Sequence, residues 1–346
     1  MISPGNDAEP RPRPCRIGVV GAGGMGADHV RAAAGAGAFV IAAVCDIDPA
    51  AARAVAEPAG ASTHTDHREM FDSAGLDAVV VAAPHGLHAP IVDDAARAGL
   101  HVLVEKPMAT TVADCTRMMS ACAAAGTVLA VAHIVHFLPA ACAARRIVRS
   151  GEYGRLLLVS HQRSARYEPG SRPSWFFDPR LAGGGIVLNV GTHGLDRIQW
   201  FADSPIRRVT ATVRGRPGLE VETDALAHLE LADGVAANLT LTSRGAPYFD
   251  ETEVVLERAT LRLSATEGLI LFRDGRCTML RAADPADVPA ALRAQLDGFV
   301  AAAQKRDEDP YVSGDYGRSV VAAALAMYAS AERGERVELA ADGTLR

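Results

Sequence analysis

The six cysteines of this 346-residue chain, Cys15, Cys45, Cys115, Cys122, Cys142 and Cys277, include no Cys-x-x-Cys pair. Their scatter argues against a zinc site and a disulfide framework, so reduced, buried thiols and no metal are expected. A run of about 18 apolar residues is also missing, so no membrane span is expected. The opening MISPGNDAEPRPRP lacks the apolar stretch of a secretory signal and holds four prolines. Residues 1–14 therefore read as a flexible lead-in, and the chain as cytoplasmic. There is no excess of basic residues: the formal net charge is -6. That balance leaves no electrostatic footprint for nucleic acid or an anionic membrane. No internal repeat is visible.

Apolar residues are plentiful at 49%, and the length suits two domains, each with its own core. Apolar runs Arg16–Val20, Phe39–Cys45, Ala78–Ala82, His101–Val104 and Val128–Ala132 alternate with helical stretches near 24–36 and 49–56. Strands alternating with helices imply a doubly wound parallel sheet of the Rossmann type over 15–138. The pattern changes beyond residue 150. Leu156–Arg163, Val209–Val213, Ala225–Leu231, Ala236–Thr242, Glu253–Leu256, Thr260–Ser264 and Leu269–Arg273 read as strands joined by short turns. The expectation for 139–346 is an α+β domain with a large, mostly antiparallel sheet. Helices near 192–202, 289–306 and 314–333 are expected to cover one face of that sheet. Its open face would then be a substrate wall or a subunit interface.

Gly21-Ala22-Gly23-Gly24-Met25-Gly26 fits G-x-G-x-x-G, follows a strand, opens a helix, and precedes Asp46 at the end of the next strand. Gly21 permits the tight turn, Gly23 admits a pyrophosphate, and Gly26 lets helix pack on strand. The helix N-terminus, with Gly24 and Met25, favours an anion. Asp46 would accept from ribose hydroxyls and repel a 2′-phosphate, and Ile47 offers no positive charge, so NAD is expected over NADP.

Three further stretches place polar groups at the ligand edge of such a sheet. Pro84, His85 and His88 follow the third strand. Glu105 and Lys106, before Pro107, follow the fourth. A lone Lys is usually a solvated charge, but Lys106 emerges from four apolar strand residues onto a fixed backbone. Gly183-Gly184-Gly185 leads to Asn189 and His193, four apart on one helix face, with Asp196 a turn further along. Tyr167 and Trp175, in the preceding loop, would line a substrate face or belong to the core.

These motifs, GAGGMG with His29, APHGLH, VEKPMA, GGGIVLNVGTHGLD and the closing SGDYGRSVVAAALAMYASAERGERVEL, resemble the glucose–fructose oxidoreductase, inositol dehydrogenase and rhizopine-catabolism family over about 15–340. The resemblance implies NAD(P)-linked oxidation or reduction of a sugar-like secondary alcohol or ketone, and a C-terminal sheet forming dimer or tetramer interfaces. It places Lys106 at the reacting oxygen, His193 as acid/base and a cis bond at Lys106–Pro107. Many members carry Asp where Asn189 stands; Asn189 orients but takes no proton. His136 stands where an Arg is usual, so the resemblance does not fix the substrate or phosphate contacts there.

His193, with an ordinary pKa near ~6.5, suits the proton role, and Glu105 an orienting one. Two other classes compete. A hydrolase or lyase on this fold would use NAD without net redox. A non-catalytic NAD-binding regulator would need neither Lys106 nor His193.

Overall fold

The computed structural model describes residues 13–244, 248–304 and 312–346. The proline-rich lead-in lies outside them apart from Arg13 and Pro14, and Arg13 is held by Asp77 (2.8 Å). Strands β1 (Cys15–Val20), β2 (Phe39–Cys45), β3 (Ser62–His64), β4 (Ala78–Val81), β5 (His101–Glu105) and β6 (Leu129–Ala132) form a parallel sheet ordered β3-β2-β1-β4-β5-β6. Its central strands are buried on both faces, which their continuous apolar runs require. Helices α1 (Gly24–Ala32) and α2 (Pro49–Ala56) cover one face. Helices α3 (His67–Ser73), α4 (His88–Arg97) and α5 (Val112–Ala125) cover the other. Strand order reverses between β1 and β4, which opens a crevice at the carboxyl ends of the strands.

The second sheet has nine strands in the order β14-β13-β12-β11-β7-β10-β9-β8-β15. They are β7 (Leu156–Ser164), β8 (Ile206–Gly215), β9 (Glu222–Leu231), β10 (Ala236–Thr242), β11 (Asp250–Leu256), β12 (Thr260–Ser264), β13 (Gly268–Arg273), β14 (Arg276–Ala282) and β15 (Val337–Glu338). All neighbours are antiparallel except β7 and β10. Helix α6 (Pro139–Ser150) precedes β7, the short α7 (Pro179–Ala182) and α8 (Thr192–Ala202) lie between β7 and β8, and α9 (Asp287–Ala303) and α10 (Gly314–Arg333) follow β14. Ala225, Ala227, Leu229, Leu239 and Leu241 point under α8 and α10. Their alternating neighbours Leu226, His228, Asn238 and Thr240 stay exposed, so the opposite face is open. Among the described residues no helix is long and apolar enough to cross a membrane.

Two expectations need correction. The helix near 289–306 does not cover the antiparallel sheet. Leu296, Phe299 and Val300 of α9 pack instead into the core that holds Ile17, Val19, Phe39 and Val80 of the parallel sheet. The Val131 N–H also donates to Val312 O (3.0 Å), so the chain beyond the second sheet returns to the edge of the first. Second, Cys277 is exposed on edge strand β14, whereas Cys15, Cys45, Cys115 and Cys122 are buried.

Candidate active site

The β1–α1 turn is built by steric necessity. Gly21 has φ +99°, and a Cβ on Gly26 would run into the Gly21 carbonyl. A Cβ on Gly23 would meet only open space, so the backbone there is open to a ligand. Asp46 accepts from the Ala22 N–H (2.7 Å) and the Asp48 N–H (2.9 Å), so it pins the glycine loop to the tip of β2. Ile47 beside it is 92% exposed. The first turn of α1 carries no acidic side chain. Loop, helix terminus and carboxylate together fit a dinucleotide.

Next comes the end of β5. Buried His29 on α1 donates to Glu105 (2.8 Å), whose other oxygen accepts from the Lys106 N–H (3.1 Å). Burial pushes the Glu105 carboxyl up, but His29 and Lys106 bring it below its ordinary value. Glu105 is thus a fixed anion beneath Lys106. Lys106 Nζ donates to the Asn189 backbone oxygen (3.2 Å), bridging the two halves of the chain. Burial pushes its ammonium down to about 8, Glu105 resists, and Arg163 and Arg172 add to the fall. The Lys106–Pro107 bond is cis.

His88 is fully buried, its ring nitrogens against Ala83 O (2.8 Å) and Pro107 O (3.0 Å). It straps the loop after β4 to the Lys106 segment and also lines the cleft. Pro84 caps the turn His85–Leu87. His85 donates to Ala182 O (3.0 Å) and lies edge-on to Trp175 (4.8 Å). Burial holds its imidazole well below the ordinary value.

The glycine run ends in a π turn, Val187–Gly191, that leads into α8. Glu222 on β9 caps it, accepting from the Gly185 N–H (2.8 Å) and the Val187 N–H (2.9 Å). Asn189 and His193 both face the cleft, where His193 makes no hydrogen bond among the described residues. Burial, then the charge on Lys106, holds His193 well below its ordinary value, so it is neutral near pH 7. Asp196 does not continue this face. It is fully buried behind it, paired with His136 (2.7 Å), His133 (3.4 Å) and the Tyr316 hydroxyl (2.8 Å). His136 stacks on Trp200 (4.4 Å) and is likewise absent from the cleft; it belongs to the buried ion-pair cluster around Asp196.

The cleft itself, about 210 Å³, is lined by Met25, His85, Glu105, Lys106, Asn189 and His193, and by Trp175. Tyr167 is not there. It is fully buried, its hydroxyl donating to Phe176 O (3.1 Å), which holds the Trp175–Phe176 turn from behind. Arg163, Arg172 and Phe176 line the cleft and were not anticipated. An Arg ending a strand or sitting in a polar loop looks the same in sequence as a solvated one.

A parallel sheet with a glycine-rich dinucleotide turn, and a Lys and a His meeting at its carboxyl edge, defines a Rossmann-type oxidoreductase. Residues 15–133 match a family model described as oxidoreductase family, NAD-binding Rossmann fold, and residues 142–262 match its C-terminal domain. The chain belongs to this family, named for glucose–fructose oxidoreductase, inositol dehydrogenase and the rhizopine-catabolism protein. Inositol 2-dehydrogenase 1 of Saccharopolyspora erythraea is 32% identical, across 94% of this chain and 96% of its own length. D-xylose 1-dehydrogenase (NADP(+)) 2 of Haloferax volcanii is 32% identical, across 93% and 99%. Among solved structures, aldose-aldose oxidoreductase from Caulobacter crescentus, complexed with glycerol, superimposes with a TM-score of 0.85 at 25% identity, covering 94% of this chain and 100% of that one.

Proposed function

We propose that this chain is a nicotinamide-dependent dehydrogenase acting on a secondary alcohol or ketone of a sugar- or inositol-like substrate. The observation that carries the reading is the meeting of Lys106 and His193 in one cleft beside Met25 of the dinucleotide turn. Gly21, Gly23, Gly24, Gly26 and Asp46 would hold the cofactor. Bound there, the nicotinamide supplies the two-electron acceptor or donor. His193, neutral, takes the hydroxyl proton on a ring nitrogen. Lys106, protonated at neutral pH, donates to the substrate oxygen as charge builds on it. Asn189 orients the substrate without exchanging a proton. The relatives named for inositol and xylose support the substrate class. The test is a screen of polyols, sugars and nucleotide sugars for NADH absorbance. Product formed without net NADH would instead favour a lyase or hydrolase.

Asp46 followed by Ile47 selects NAD. NAD should exceed NADP in kcat/KM by about tenfold, or about 1.4 kcal/mol. Equal values for the two cofactors would remove Asp46 as the discriminator.

The open face of the large sheet is the surface we assign to self-association into a dimer or tetramer. Light scattering should give a mass of two or four chains, and a strictly monomeric protein would refute this.

A further inference from the structure

Arg163 and Arg172 are charges in the cleft that the proton chemistry leaves unused. The Arg172 guanidinium lies over the rings of Tyr167 (5.1 Å) and Phe176 (5.5 Å), and its Nε donates to Arg166 O (3.2 Å). No carboxylate pairs with it among the described residues. Its burial disfavours the charged form, and the rings offset only part of that cost. Arg163, near the end of β7, sits 3.4 Å from Asp250, but Asp250 is also held by Arg197. One carboxylate therefore serves two guanidiniums, and the Nε of Arg163 is buried with no partner. His161, behind them, is pushed down to about 3 by burial and by Arg197, and adds no charge.

Around the cleft, Lys106, Arg163, Arg172 and Arg197 stand against Glu105 and Asp250, an excess of two positive charges. Glu105 is tied to His29, and Asp196 is turned away to His136 and Tyr316. Charge held in a half-buried site without a counter-charge carries a desolvation cost, and the cleft is where a counter-charge can enter. We propose that the substrate carries a carboxylate or phosphate received by Arg172 and Arg163, making it a sugar or cyclitol acid or phosphate rather than a neutral polyol. The planar guanidinium fork suits either group in bidentate fashion. The volume of about 210 Å³ is below the roughly 300–1,000 Å³ of drug-sized ligand sites, which confines the reacting end to a monosaccharide-sized group. An anion at this position would also favour the protonated form of Lys106, so substrate charge supports the hydrogen bond the reaction needs.

This proposal rests on the dehydrogenase reading, and its test separates the two. Matched sets are compared as substrates of the NAD-loaded enzyme: D-glucose, D-glucuronate and D-glucose 6-phosphate; myo-inositol and its monophosphate. An anionic member should exceed its neutral counterpart in kcat/KM by about 10–100-fold, the span of a hydrogen bond to a charged group. Whether glucuronate or the phosphates gain identifies the anion. Arg172→Met keeps packing over the two rings and should bring that ratio close to one. The alkaline limb of the pH profile should lie higher with an anionic substrate than with a neutral one. Calorimetric titration of the wild type with D-glucuronate and D-glucose reads the same preference without any variant. If neutral sugars are oxidised as well as the acids, and Arg172→Met leaves the ratio unchanged, the anion site is wrong and the dehydrogenase stands. If no probe reduces NAD but D-glucuronate binds and Arg172→Met abolishes binding, the anion site stands and the dehydrogenase reading falls.

Discussion

Lys106→Ala and His193→Ala are each expected to lower kcat about 10²–10⁴-fold, the span of general acid–base groups. NADH affinity, followed by fluorescence titration, should barely move, because the glycine turn and Asp46, not these two side chains, are proposed to hold the dinucleotide. Asn189→Ala should cost less than either. The pH profile gives an independent reading. Lys106 is pushed down to about 8 by burial, with Arg163 and Arg172 adding to the fall and Glu105 opposing it. As a donor it must keep its proton, so kcat/KM for alcohol oxidation should decline above about pH 8. A rate that climbs through that value would make neutral Lys106 the base. Near-normal turnover in His193→Ala would move the proton transfer to a water chain through Lys106.

Asp196→Ala should destabilise the fold by about 3–5 kcal/mol, the usual result of stripping one partner from a buried ionic cluster. It would leave His136, His133 and Tyr316 facing one another without their shared acceptor. Burial raises the Asp196 carboxyl, but His136 and His133 hold it well below the ordinary carboxylate range. A depressed folded-state value means the contribution is complete above the unfolded pKa of about 3.9 and is lost as pH falls through the folded value. The stability gap between wild type and variant should therefore narrow in acid, as pH falls below the unfolded value toward the folded one. Urea unfolding at several pH values reads this. A gap below about 1 kcal/mol would mean that the cluster relaxes around the missing carboxylate.

The parts of this molecule that were legible in sequence are those whose signal is local. GAGGMG and Asp46 lie within one β-α-β unit, and each glycine has a steric reason written in its neighbours. That Lys106 and His193 line one cleft was legible because each follows a recognisable lead, an apolar strand or a glycine run. What was missed depends on distant partners. The helical period of 287–303 shows a face to be buried but not which sheet buries it. Glu222 caps the glycine run from a strand far along the chain. Asp196 shares a helix with His193, yet three residues on it meets His136, His133 and Tyr316 behind the helix instead of the cleft. Strands β3, β14 and β15 are polar, exposed or very short, so backbone pairing rather than apolar alternation defines them. Arg163 and Arg172 acquire meaning only when the loop and the end of β7 meet.

Helix α9 has a consequence for the order in which the molecule can be made. It is encoded after both sheets, yet Leu296, Phe299 and Val300 complete the packing over Phe39, Val80 and Leu103. While the chain emerges from the ribosome, the Rossmann half is synthesised first and stays uncovered on that flank until the second sheet has followed it out. A fragment cut after β6 would carry the same uncovered apolar strip for good. For this chain, the earliest complete folding unit extends past residue 300.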